Sequence, residues 1–157
     1  MSSRVQTDYH AEIDTPVSAG KVFDAINNVT GWWTVNIEGS TKNLNDIFIV
    51  RFGETYSRIQ ITEIIPGKKI VWKVLDCNLH WMKDKKEWKD TSIIWEVLPV
   101  KNATRVAMTH VGLRPGIECY EDCRKGWNHY VKESLFRLIG EDRGVPDHKD
   151  FSALERQ

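Results

Sequence analysis

The feature that most constrains this chain is a change of hydrophobic period. Over residues 35–111 apolar side chains alternate with polar ones, and over residues 117–140 they recur every three or four positions. The first pattern belongs to half-buried strands and the second to one face of an α-helix. A helix over 117–140 runs about 35 Å at 1.5 Å per residue. Its stripe of Tyr120, Cys123, Trp127, Val131, Leu135 and Leu138, widened by Phe136 and Ile139, needs an apolar surface of similar length. The sheet supplies the only such surface in the chain. The expectation is an α+β domain in which a curved antiparallel sheet wraps a long C-terminal helix that follows Arg114-Pro115-Gly116 and is capped by Gly140.

Turn signals divide the alternating region into strands at 47–52, 56–65, 69–75, 91–99 and 104–111. Gly53-Glu54, Pro66-Gly67 and Asn102-Ala103 mark the tight turns, and residues 77–90 form one long connection. Placing Arg51, Arg58, Gln60, Lys73, Glu96 and Arg105 in water leaves Phe52, Ile59, Ile61, Trp72, Val74, Ile93, Trp95, Val97, Val106, Met108 and His110 on the opposite, apolar face. A first strand over 4–14 and a short one over 35–38 bring the sheet to about seven strands. Between them lie two short helices. Thr15 and Pro16 read as N-cap and first position of a helix over 16–28, and Val22, Phe23, Ile26, Val29 and Trp33 keep helical spacing until Gly31 breaks the segment before Trp32-Trp33. The whole of 1–157 reads as one domain, with a core over about 5–140 and a polar tail over 141–157 that lies loose or on the surface.

Composition narrows the functional classes. Lys plus Arg and Asp plus Glu number 22 each, which argues against a nucleic-acid or anionic-membrane binder. No apolar run approaches the ~20 residues of a membrane span, and Met1-Ser2-Ser3-Arg4 starts no secretory signal. Cys77, Cys119 and Cys123 are odd in number and lack a Cys-x-x-Cys spacing, the usage of reduced thiols in a cytoplasmic protein. Seven tryptophans exceed what a small core needs, so some are expected to line a cavity or a contact surface.

Three stretches carry a family resemblance: TPVSAGKVFDAINNVTGWWT from Thr15, EWKDTSIIWEVLPVKNATRVAMTHVGLRP over 87–115, and KGWNHYVKESLFRLIG over 125–140. Together they resemble the heat-shock-protein-90 ATPase activator homology family, of the SRPBCC branch. The run His110-Val111-Gly112-Leu113 with the later Gly126-Trp127 is its most specific part. The chain departs from the family pattern at Asp90, where relatives tend to have Gly, and at Ala103-Thr104, where they tend to have Gly-Thr. The resemblance implies the helix-grip, or START-like, fold shared with birch-pollen-type allergens and polyketide cyclases. It also implies a cavity between sheet and C-terminal helix that binds a small hydrophobic or amphipathic molecule. A cyclase- or dehydratase-like enzyme using the same cavity, and a chaperone-interacting module, are the alternatives.

The candidate ligand-binding residues are Trp33, Phe52, Trp72, Trp95, Met108, His110, Trp127 and Val131. His110 carries two readings: an acid/base or ligand-bonding imidazole, or a core histidine satisfied by its neighbours. Glu63 shares the inward parity of Ile59 and Ile61 and is the candidate partner of His110 in a catalytic pair. In the long connection, Trp81, Met82 and Trp88 form a candidate lid or contact surface. Cys119 and Cys123 share a helix face, but neither His110 nor His129 completes a zinc ligand set by spacing, so no metal and no cofactor is expected. A homodimer or a chaperone partner stays open.

Overall fold

The computed structural model describes residues 8–147. Its elements are β1 (Tyr9–Thr15), α1 (Ala19–Asn27), α2 (Val29–Trp32), β2 (Ile37–Gly39), β3 (Ile47–Phe52), β4 (Thr55–Ile65), β5 (Lys69–Asn78), β6 (Ser92–Val100) and β7 (Ala103–Val111). A C-terminal rod follows, made of α3 (Tyr120–His129), a π-helical segment (Tyr130–Leu135) and α4 (Phe136–Glu141). The strands form one antiparallel sheet in the order β1-β7-β6-β5-β4-β3-β2. This is the helix-grip arrangement: a curved seven-stranded sheet closed on one face by the C-terminal rod, with α1 and α2 beside it.

The alternation puts the expected face inward. Ile59, Ile61, Trp72, Val74, Ile93, Trp95, Val97, Val106, Met108 and His110 are all buried. Two bulges interrupt the β4–β5 ladder. At the second, Ile61 pairs with Trp72 and Glu63 with Val71, so Thr62 is extra and the faces exchange beyond it. Glu63 therefore leaves the inward face, and its carboxylate lies 3.6 Å from Lys69 Nζ. The proposed contact of Glu63 with His110 does not form. The first strand begins within the described residues at Tyr9, and residues 4–7 of the expected strand lie outside them.

The helix boundaries shift for local reasons. Thr15 ends β1 and Pro16 turns the chain, while Ser18 is the N-cap of α1 and accepts a hydrogen bond from Lys21 N at 3.5 Å. Gly31 stays inside α2 instead of breaking it. A Cβ there would lie 2.9 Å from Leu138 Cδ2, so glycine here permits close packing on the C-terminal rod. Residues 117–119 form a turn, and the rod starts at Tyr120. Gly140 lies within α4, and Asp142, with φ +58°, is the C-cap. The π-helical segment alters the rotational phase of the stripe. Trp127, Val131, Leu135 and Ile139 are buried, whereas Phe136 is 42% exposed and does not widen the apolar face as expected.

The described part of the tail is fastened. Ser134, fully buried within the π segment, donates from Oγ to Trp32 O at 2.6 Å and accepts from Val145 N at 2.7 Å. Asp147 N donates to Trp33 O, and Val35 N to Asp147 O, both at 2.9 Å. Residues 148–157 lie outside the described residues. Ser134→Ala leaves the Trp32 carbonyl and the Val145 amide without this partner. It is expected to lower unfolding free energy by about 1–3 kcal/mol in urea titrations, and a change within ±0.3 kcal/mol contradicts the assigned role.

Candidate functional site

The fold sorts the seven tryptophans into two groups. Trp32, Trp72 and Trp95 are fully buried and fill the closed part of the core. Trp32 and Trp72 are parallel with centroids 6.5 Å apart, and Trp95 meets both edge-on at 5.4 Å. Trp33 extends the stack, parallel to Trp32 at 5.7 Å and to Trp72 at 5.9 Å. From Trp33 the aromatic series passes to Trp127 on α3 at 5.0 Å, and from Trp127 to Trp88 of the 79–91 connection, parallel at 5.8 Å.

This second group does not close on itself. It borders a cavity of about 270 Å³. Trp33, Phe52, Trp81, Trp88, Trp127 and Tyr130 form most of the wall, with Leu79, Gly126 and Cys123 between them. Thr55, Ser57 and Asp122 add the polar atoms. Trp81 is 49% exposed and stands on the outer wall. Burial holds the Tyr130 phenol up at about 12, so it stays protonated. A hydrogen bond with Cys123, together with burial, raises the Cys119 thiol well above its ordinary range.

Behind the aromatic wall lies His110. Trp127 Nε1 donates to His110 Nδ1 at 3.0 Å, which makes Nδ1 the acceptor and puts the ring proton on Nε2. That Nε2–H then donates to Thr91 Oγ1 at 2.9 Å, and the Thr91 hydroxyl donates to Trp88 O at 2.6 Å. The Trp88 ring also meets the His110 ring edge-on, with centroids 4.6 Å apart. Gly112 makes room for Thr91: it has φ +104°, and a Cβ there would lie 2.7 Å from Thr91 Cγ2. Burial pushes the His110 imidazole down to about 3, so it is neutral at ordinary pH.

The 79–91 connection is latched to the start of α3 by carboxylates. Glu87 accepts from Glu118 N and Cys119 N, both at 2.8 Å, in the turn that leads into the helix. In return Glu118 accepts from Lys83 N at 3.0 Å and Asp84 N at 3.1 Å, and these bonds hold its carboxyl below the usual range. Trp81 Nε1 donates to Asp122 at 3.0 Å. Asp90, at the position where relatives tend to have Gly, takes φ +69° and donates from its amide to Val74 O at 2.8 Å.

Of the residues expected in the site, Trp33, Phe52 and Trp127 line the cavity, as do Trp81 and Trp88 from the candidate lid. Trp72, Trp95, Met108, His110 and Val131 are fully buried behind it, and Met82 is packed into the core. Both ring nitrogens of His110 are engaged with side chains, as in the core-histidine reading. Sequence reading missed Thr55, Ser57, Leu79, Asp122, Cys123, Gly126 and Tyr130. The stripe spacing offered a signal for three of these, because Cys123, Gly126 and Tyr130 flank Trp127 on one face of the rod.

The family model described as Activator of Hsp90 ATPase homolog 1-like protein matches residues 16–140. Among solved structures, the Aha1 dimer from Colwellia psychrerythraea is similar with a TM-score of 0.71 at 22% identity, covering 87% of this chain and 98% of that one. A protein from Bacillus halodurans is similar with a TM-score of 0.63 at 17% identity, over 87% of this chain and 100% of that one. DynU16, a protein of the dynemicin biosynthetic locus, gives 0.62 at 15% identity, over 89% of this chain and 50% of its own. At these identities the likeness is one of fold. No curated protein matches the sequence.

The buried neutral imidazole links stability to pH. Unfolded histidine protonates near 6.5, whereas folded His110 does so only near 3. Between those values the unfolded chain binds more protons, so stability is complete above the upper one and falls as pH drops. Urea titrations are expected to show a loss of about 2 kcal/mol between pH 7 and pH 5. His110→Gln should lack that portion of the slope, and an unchanged slope in the variant contradicts the assignment.

Proposed function

Because the chain belongs to the Activator of Hsp90 ATPase homolog 1-like family, we propose that it binds a small hydrophobic or amphipathic molecule in the cavity between α3, β3, β4 and the 79–91 connection. The observation that carries this reading is that six aromatic side chains surround about 270 Å³ without filling it. Unfilled apolar space costs packing energy, and a larger residue on the wall would remove that cost. Such spaces, mostly apolar with a few polar groups, are the common form of a small-molecule site.

Two features give the ligand polarity as well as an apolar body. The hydroxyl side chains of Thr55 and Ser57 lie on the cavity wall, where they can meet a polar group of a bound molecule. Asp122, on the cavity wall beside Trp81, offers a carboxylate at the exposed side. The carboxylate–imidazole pair needed for acid/base chemistry is not assembled here, since Glu63 meets Lys69 and His110 is bonded to Trp127 and Thr91.

Gly126 separates binding from folding. It lines the cavity within α3, and a Cβ added there meets nothing within 4 Å. Gly126→Ala is expected to stabilise the fold by about 0.5–1 kcal/mol through helix propensity. Gly126→Leu should keep the wild-type melting temperature or raise it while filling the cavity. In tryptophan-fluorescence titrations with naphthalene-type probes and short alkyl lipids, the wild type should saturate and Gly126→Leu should not. Equal affinities in the two proteins would place the ligand elsewhere.

A further inference from the structure

The wall of the cavity has one charge. Among the described residues four indoles, a phenyl and a phenol surround it, Asp122 is its sole carboxylate, and no Lys, Arg or His lines it. Two basic groups of the neighbouring connection are committed to other acceptors. Lys85 Nζ donates to the carbonyls of His80 and Met82, at 2.7 and 2.9 Å, and Lys86 Nζ lies 2.9 Å from Asp76. A carboxylate already sits at the start of α3, because Glu87 accepts from Glu118 N and Cys119 N just before it. An anionic head group would therefore meet Asp122 with no counter-charge on the wall.

An organic cation meets the opposite situation. The faces of indole rings carry negative potential, and tryptophan is the best of the aromatic residues at holding a cation. Asp122 is fixed beside one of those rings by the 3.0 Å bond from Trp81 Nε1 to its Oδ2. We propose that the cavity selects an amphipathic cation whose quaternary or tertiary ammonium head sits among the indoles near Trp81 and Asp122. This deepens the ligand-binding reading above and rests on it. A primary ammonium fits less well, because it brings three strong donors and the wall has few free acceptors: Thr55 Oγ1 already accepts from His80 N at 3.1 Å. A quaternary head has no N–H donor to satisfy, and its methyl groups match apolar ring surfaces.

Matched probes test the charge alone. Benzyltrimethylammonium and its neutral carbon isostere neopentylbenzene have the same shape, and both are titrated against the full chain by tryptophan fluorescence. The cation is expected to bind about tenfold more tightly or better, and Asp122→Asn should reduce that preference to about threefold or less. Trp81 is half exposed, so Trp81→Leu keeps the fold. It should weaken the cation about fivefold more than it weakens the neutral probe. If the isostere binds as tightly as the cation, the cation preference is overturned and the cavity reading stands. If Asp122→Asn and Trp81→Leu both leave the preference intact, the placement of the head group is overturned. If neither probe shows saturable binding at millimolar concentration, while both variants and wild type fold alike, both readings fall.

Discussion

The seat of the C-terminal rod depends on the 3.0 Å hydrogen bond from Trp127 Nε1 to His110 Nδ1. It joins the last turn of α3 to the inward face of β7, and it fixes the tautomer of the imidazole. The tautomer then determines the rest of the chain: Nε2–H to Thr91, and Thr91 to the carbonyl of Trp88. Three separate elements are thereby brought into one polar series inside an apolar core, where an unpaired member would be costly. The same series aligns Trp88 with Trp127, the pair of parallel rings that forms the inner wall of the cavity. A core histidine and a cavity wall are thus consequences of one arrangement.

That arrangement explains why seven tryptophans suit a chain of 157 residues. Trp32, Trp72 and Trp95 pack the closed end as an ordinary core does. Trp33 belongs to both groups, stacked on the core rings and facing the cavity. Beyond it, Gly126 replaces what could be a filling side chain, and the connection over 79–91 supplies the outer rings. The π-helical turn beginning at Tyr130 adds to the same end of the rod. It brings Ser134 under the tail and turns Phe136 outward, so the rod is adapted to its neighbours at the cost of a regular stripe.

The fold was legible because it rests on two periods that do not depend on distant contacts. Alternation named the buried face of β4 to β7, and the three-four spacing named Trp127, Val131 and Leu135. The resemblance in 15–34, 87–115 and 125–140 agrees with the family model over 16–140. The site was legible only in part. Parity carries information along a strand until a bulge intervenes, and the extra residue at Thr62 moved Glu63 to the Lys69 side. Nothing in the local sequence announces that bulge. The connection over 79–91 has no period at all, so the inward packing of Trp88 and the outward placement of Trp81 are decided by carboxylate latches at the start of α3, 31 to 41 positions away. Asp90 shows the converse: a departure from the family pattern that kept the left-handed backbone a glycine adopts most easily.

The central claim is that the space beside Trp127 receives a molecule while the stack of Trp32, Trp72 and Trp95 does not. The seven indole N–H resonances of a ¹⁵N-labelled sample report on every tryptophan at once during titration with an apolar aromatic ligand. Saturable shifts are predicted at Trp33, Trp81, Trp88 and Trp127, with Trp32, Trp72 and Trp95 nearly stationary. Shifts confined to the inner three, or no saturable shift at the cavity tryptophans, would contradict it.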